Sequence, residues 1–427
     1  MDTGLKLSKI PFLSCLEVVK ILKNHNVAFL DIRDRKKYVR NFAFGAINCP
    51  LDRFQFVIND LVPDKKTFVI IIGANNKEIK VIYSILVKNK FINIYFVKNN
   101  YRDWNKNQLP CWSGEFTLCK AFGEWVETTG TVKNIQPQDL NKLHKKKLDT
   151  FLQIDARPKK EYELFTLPFS KHCSGGEIPA YLNNKKQKKT IIVHCAGRTR
   201  SIIAYQTLID FNFQNKKLVL NGGTQNWVLN GFERSLKIKS DLIKNKLNHK
   251  KDSLLAKKIA NKFKLPTVNT NCDVKNSYAF ILKSEIIKNT NYTMWKNVNA
   301  TTLIQNTDKF IAATSTKIYI YSDIATSAVF TCIWLNRMGY QAIWHVKKPV
   351  SKQTKQYCKK DFTDPTYFFA KRHLNSKKDA KGYLNWEHNL IPTLKKWGCH
   401  NPWNSVKNKK IINSKHPMHK IYSLFDN

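Results

Sequence analysis

The chain has 427 residues, 42% of them hydrophobic and 12% aromatic. That is too apolar for a disordered polymer and, at about 100 to 200 residues per domain, enough for two to four cores. The formal charge of +42 points to nucleic acid or an anionic surface. However, lysine is spread from end to end in company with Asn and Ile, as an AT-rich genome produces at unconstrained surface positions. Its clusters at 145–147, 185–189 and 407–410 fall in predicted loops rather than on one aromatic-studded face. Nucleic-acid binding is therefore expected to be weak and non-specific.

Ten cysteines, at 15, 49, 111, 119, 173, 195, 272, 332, 358 and 399, form no CxxC pair and no Cys/His group at metal-ligand spacing. Neither a metal site nor a disulfide framework is expected, and no motif calls for a cofactor. The N-terminal segment is amphipathic and carries acids, without the long apolar core of a secretory signal. No apolar run reaches the roughly 18 residues of a membrane-spanning helix. The expectation is a protein of a cytoplasmic, thiol-reducing compartment with no membrane insertion.

In chain order, the first unit reads as a strand VAFLDIRD (27–34), FGAINCP (44–50), a strand TFVIIIGANN (67–76), a helix KEIKVIYSILVKNKF (77–91) and a strand NIYFVK (93–98). The second reads TFLQIDARP (150–158), TIIVHCAGRTRS (190–201), a helix IIAYQTLIDF (202–211) and KLVLNGG (217–223). The third reads KIYIYSDIATS (317–327), a helix AVFTCIWLNRMGY (328–340) and QAIWHV (341–346). Short, nearly continuous Val/Ile runs alternating with helices predict α/β domains, each a doubly wound parallel sheet flanked by helices. The predicted domains are 10–115, 130–235 and 265–350, with a Lys-rich helical linker at 236–264 and an irregular or helical tail at 351–427.

Such sheets bind ligands where strand ends meet helix N-termini, so the loops at 73–77, 195–201 and 323–327 are the candidate sites. Only the second carries a reactive residue. There the apolar strand delivers Cys195 to a loop formed by Ala196, Gly197, Arg198, Thr199 and Arg200, and Ser201 is expected to open and cap the following helix. Backbone N–H groups, the helix dipole and two guanidinium groups stabilise a thiolate and an incoming anion, and the thiolate is the form that attacks sulfur. Gly197 lets the loop turn tightly. The competing reading of a lone Cys as a small buried hydrophobe fits the other nine better than Cys195.

HCAGRTRS (194–201), preceded by LQIDARPKKEY (152–162) and followed by LNGGTQNW (220–227), resembles a rhodanese domain. LDIRDRKKY (30–38), FGAINCPLDRF (44–54) and NNYRDWNKNQLP (99–110) resemble one too. KAFGEWVE (120–127), the third unit and GYLNWEHNLIPTLKKWG (382–398) resemble bacterial proteins with several tandem rhodanese domains. The likeness is strongest in the second unit, good in the first and weak at 235–300 and 347–380. It implies a sulfurtransferase in which Cys195 accepts a sulfane sulfur from a thiosulfate-like donor as a persulfide. Residues 196–201 would bind the small anionic donor, with Arg198 and Arg200 holding it. A thiophilic acceptor, such as a protein thiol, would then remove the sulfur. The first unit has Gly73 and the third Asp323 near the nucleophile position, so both are expected to be silent.

Asp155, Arg157 and Trp227 are candidates for groups behind the active loop, although pairing with Glu161 or strand capping suits the first two and packing suits the third. His194 precedes the nucleophile on a strand, so its side chain should point away from that of Cys195. Two rival functions remain. A cysteine phosphatase would need arginine six positions after Cys, where Ser201 stands, and no general-acid Asp is evident. A basic scaffold associated with RNA or a sulfur-transfer partner would need no chemistry at Cys195.

Overall fold

The structure, a computed structural model, describes residues 6–130, 132–146, 149–183, 188–236, 247–270, 272–284, 295–349, 366–374, 376–404 and 415–425. Lys147, Lys185, Lys186, Cys358, the lysines at 407–410, the 285–294 approach to the third unit, part of the expected linker and the start of the expected tail lie outside the described residues.

Three five-stranded parallel sheets form the frame of the described residues. The first is built from Phe12–Leu13, Val27–Asp31, Ile47–Asn48, Phe68–Ile72 and Asn93–Val97. The second uses Asn134–Ile135, Phe151–Asp155, Lys171–His172, Thr190–His194 and Lys217–Leu220. The third uses Thr267–Val268, Tyr278–Leu282, Lys296–Val298, Lys317–Tyr321 and Gln341–His345. In each sheet the strands lie in the same spatial order: first, fifth, fourth, second, third. The apolar runs become strands because helices cover both faces. Val27–Asp31 is buried throughout, and Thr190–His194 and Lys317–Tyr321 are buried after their first residue. The fold is thus α/β, with parallel sheets flanked by helices.

The second and third sheets share an interior. In the helix Thr199–Asp210 every residue but Ile209 is buried, and Ala325–Arg337 is almost as enclosed. Helices buried on all sides need internal partners for their polar groups. Trp334 donates from Nε1 to Thr207 Oγ1 at 2.8 Å, and Arg337 pairs with Asp210 at 2.6 Å. The helix His249–Lys262, within the stretch read as a linker, packs on Ala325–Arg337, and Thr326 Oγ1 donates to its Asp252 at 2.5 Å. At the C-terminal end, Lys377–Lys396 lies against Thr117–Thr128, and Pro417–Tyr422 seals the first unit, where Tyr422 donates to the Phe44 carbonyl at 2.6 Å.

A local device recurs in the first two units. Arg33 pairs with Asp31 and Arg157 with Asp155, each two residues apart, and each guanidinium also donates to a backbone carbonyl, of Asn41 and Phe165 respectively. Among the described residues no helix is long and apolar enough to cross a membrane.

Candidate active site

Strand Thr190–His194 pairs with Phe151–Asp155 so that His194 sits opposite Asp155 at the carboxyl edge of the second sheet. The chain then turns through Cys195, Ala196, Gly197 and Arg198 into the helix Thr199–Asp210. Cys195 is 1% exposed. It stands immediately before a helix N-terminus, where the first N–H groups have no intrahelical acceptor and the dipole favours negative charge.

The helix begins two residues before Ser201, which corrects the expected cap. Arg198 occupies the capping position, and its side chain makes no bond to the helix end. Ser201, one turn inside, donates from Oγ to the Arg198 carbonyl at 2.9 Å and lies 3.4 Å from Cys195 Sγ. Its hydroxyl therefore ties the thiol to the loop instead of closing the helix end.

A second turn clamps the loop from behind. Thr224 N donates to the Cys195 carbonyl at 2.9 Å, and Gln225 N to the Ala196 carbonyl at 3.0 Å. This approach requires Gly223, whose φ is +55° and whose added β-carbon would meet the Cys195 oxygen at 2.3 Å. Sequence reasoning noted the Gly-Gly pair as a family feature but assigned it no contact.

The two loop arginines are already paired. Arg198 donates from Nε to Glu124 Oε1 at 2.7 Å and also contacts Glu127. Arg200 meets Glu161 with two bonds, of 2.6 and 3.0 Å. Burial works against the Arg200 charge, but the Glu161 carboxylate outweighs it and holds the guanidinium more firmly protonated than usual. The same partnership pulls the Glu161 carboxyl below its ordinary range against the cost of burial. Each loop arginine thus has a carboxylate partner while lining the cavity. The three carboxylates were not identified as their partners from sequence, although all three lie within quoted motifs; Glu161, expected beside Asp155 and Arg157, bonds Arg200 instead, because Arg157 is taken by Asp155.

Asp155 is fully buried and holds Arg157 and the Thr166 hydroxyl. Burial opposes its charge, yet Arg157 keeps the carboxyl well below the usual range. Arg157 nevertheless lines the same cavity as Cys195. Trp227 lies 1% exposed in an apolar cluster with Ile192 and Leu220 and donates to the Glu233 carbonyl, so it packs beneath the sheet. His194 points to Ser170, at 2.7 Å, and burial pushes its imidazole down to about 4.

Cys195 lies in the wall of a cavity of about 360 Å³. Besides residues 195–200 and Gln225, its walls come from Glu115, Phe116 and Lys120, from Arg157, Pro158, Glu161, Leu164 and Phe165, from Thr302, Gln305 and Asn306 in the third unit, and from Thr366, Arg372, His373 and Tyr383 near the C-terminus. Two other lining cations are engaged as well: Lys120 faces Glu387 at 4.0 Å, and Arg372 donates to the carbonyls of Phe368 and Phe369. In contrast, Thr199 Oγ1 and both amide atoms of Gln225 are buried and find no partner among the described residues. Among the described residues no group of three His, Cys, Asp or Glu side chains is placed to hold a metal ion.

The other two loops differ in kind. In the first unit Gly73 takes φ +89°, and a β-carbon there would sit 2.7 Å from Arg33 Cγ and 2.9 Å from Asp31 Oδ1. In the third, Asp323 accepts a hydrogen bond from Tyr321. Cys332 lies inside the buried helix with its thiol pKa driven far up by burial.

Residues 136–230 match the family described as Rhodanese-like domain. Among solved structures, the thiosulfate sulfurtransferase from Pseudomonas aeruginosa superposes with a TM-score of 0.80 at 16% identity, covering 93% of this chain and 100% of that one. A rhodanese-like domain protein from Staphylococcus aureus, at 25% identity, covers 26% of this chain and 100% of its own, with a TM-score of 0.22. A rhodanese-related protein from Thermoplasma volcanium, at 22% identity, covers 24% and 98%, also with a TM-score of 0.22. No curated protein matches the chain. The likeness at 16% identity shows a shared fold along nearly the whole chain.

Proposed function

We propose that the chain is a sulfurtransferase that carries sulfur as a persulfide on Cys195. The observation that carries this reading is the position of the thiol, between a buried parallel strand and a helix N-terminus, in the wall of a cavity large enough for a small molecule. The rhodanese-like match at 136–230 supports it from outside. In the forward half-reaction the Cys195 thiolate attacks the outer sulfur of a thiosulfate-like donor. A bond forms from Sγ to that sulfur, and the donor S–S bond breaks with its electron pair leaving on sulfite. A thiophilic acceptor then attacks the bound sulfur and returns the electron pair to Sγ. No redox cofactor is required.

Residues 196–201 supply the cradle, while Arg198 and Arg200 hold it in shape through Glu124, Glu127 and Glu161. The phosphatase alternative is weakened by the same pairs, since neither loop arginine is free to clamp a phosphate. The third unit contributes Thr302, Gln305 and Asn306 to the cavity wall, and neither it nor the first unit carries a thiol at the matching loop. The test is to treat the protein with thiosulfate, weigh it intact and map the added mass by digestion. One extra sulfur atom on Cys195, removed by cyanide with release of thiocyanate, is the expected result. Aryl-phosphate turnover without sulfur loading would replace the proposal with its rival.

A further inference from the structure

Resting on the sulfur-transfer reading above, we infer that Gln225, with Thr199, selects sulfur carriers that present an uncharged amide, so that a neutral peptidic persulfide is a better donor than a sulfur oxyanion. Three observations lead there.

The first is the charge balance of the cavity. Four of its lining cations face carboxylates: Arg157 meets Asp155, Arg198 meets Glu124 and Glu127, Arg200 meets Glu161, and Lys120 lies 4.0 Å from Glu387, while Arg372 donates to the Phe368 and Phe369 carbonyls. At the three arginines 157, 198 and 200 a doubly charged oxyanion would have to compete with carboxylates already at hydrogen-bonding distance, which is costly. A carrier that is uncharged apart from its persulfide sulfur brings no oxyanion into that competition.

The second is the set of polar atoms left over. Gln225 is 3% exposed, and both its Nε2 and its Oε1 lack a hydrogen-bond partner among the described residues; Thr199 is 1% exposed, and its Oγ1 lacks one too. Both residues line the cavity that contains Cys195. Buried polar groups are normally satisfied, so two lining residues whose side-chain polar atoms are buried and unpaired are where a ligand that reaches them would bond. A carboxamide offers one donor and one acceptor side by side, and the group that answers both at once is another amide. The backbone of Gln225 is itself bonded to the Ala196 carbonyl, so the side chain is anchored to the sulfur loop that it serves.

The third is size. At about 360 Å³ the cavity falls within the range of small organic ligand sites, about 300 to 1,000 Å³, and a sulfur oxyanion would leave most of it empty. The transfer balances without an added oxidant. The Cys195 thiolate attacks the outer sulfur of R–S–SH, the Sγ–S bond forms, the R–S bond to that sulfur breaks, and its electron pair leaves as R–S⁻.

The test uses the full chain and two donors, thiosulfate and the persulfide of N-acetylcysteine amide, which has amides and no charged group beyond the persulfide. Loading of Cys195 is followed by intact mass. The unaltered protein is expected to load faster from the amide persulfide. Gln225→Leu should lower the amide-to-thiosulfate rate ratio about tenfold, the loss of about one net hydrogen bond. The nearly isosteric Gln225→Glu should raise that ratio, because the new carboxylate repels the oxyanion most. A purely structural Gln225 would slow both donors alike in Gln225→Leu. Equal losses, or a preference of the unaltered protein for thiosulfate, would overturn this inference while leaving sulfur transfer intact. Loading from neither donor would remove the sulfur-transfer reading and this one with it.

Discussion

Arg198 Nε donates to Glu124 Oε1 at 2.7 Å with both side chains buried, so the helix Thr117–Thr128 is bonded directly to the loop that carries Cys195. Removing one member of a buried pair leaves an uncompensated charge, typically at a cost of about 3 to 5 kcal/mol. Arg198→Ala should lose stability of that order in urea unfolding. The double variant Arg198→Met with Glu124→Gln should recover a good part of it. An Arg198→Ala protein as stable as its parent would show that the pair does not hold the loop.

The thiol itself gives a cleaner prediction. Cys195→Ser should keep its unfolding midpoint and gain no sulfur from either donor, since Ser fits the space but is not thiophilic. The remaining described cysteines should not take over: burial pushes the thiols of Cys49 and Cys119 up to about 12. Adding Gly73→Cys to that protein should not restore transfer, because the new β-carbon would collide with Arg33 and Asp31. Any sulfur on a second cysteine, seen by peptide mapping, would contradict this.

Gly223 should tolerate no side chain. Alanine there would combine a positive φ with a 2.3 Å contact to the Cys195 carbonyl, and the loop would have to move. Gly231, at φ +80° with nothing within 4 Å of its β-position, is the matched control. Gly231→Ala should cost about 1 kcal/mol by backbone strain alone and load sulfur normally. Gly223→Ala should lose more and load poorly, and equal behaviour of the two would disprove the clamp.

Stability should fall on mild acidification. His194 is held neutral in the fold, with burial pushing its imidazole down to about 4, while the unfolded chain protonates near 6.5. Between those values the unfolded state binds the extra proton, so stability declines as the pH drops from about 6.5 to about 4, by up to about 3 kcal/mol. His373 and His416, each pushed down to about 3 by burial, act in the same sense. Asp155, held below its usual range, adds stability above about pH 4 that is lost at lower pH. Urea midpoints of the parent and of His194→Asn across this window test it. Parallel curves would remove His194 from the explanation.

The strands and the sulfur loop were legible in the sequence because a parallel strand buried on both faces leaves a local trace, an unbroken apolar run such as Ile191 to Val193. Cys195 stood out because its surroundings are contiguous. What stayed hidden depends on pairs distant along the chain. Nothing near Arg198 announces Glu124, and nothing in 366–383 announces that it walls the cavity. The polarity of the arginine loop suggested a bound anion, whereas the fold answered those charges internally. Ser201 was misread by two residues, because a loop without a side-chain cap gives no signal for its helix start.

The cavity walls also impose a timetable. A ribosome releases Cys195 and its loop long before Thr302 to Asn306, and Thr366 to Tyr383 come later still. Until that last stretch emerges, the nascent chain carries the nucleophile without its enclosure, open on sides that the finished protein closes. A chain stalled before that stretch would therefore leave the Cys195 thiol without the walls that the finished protein places around it.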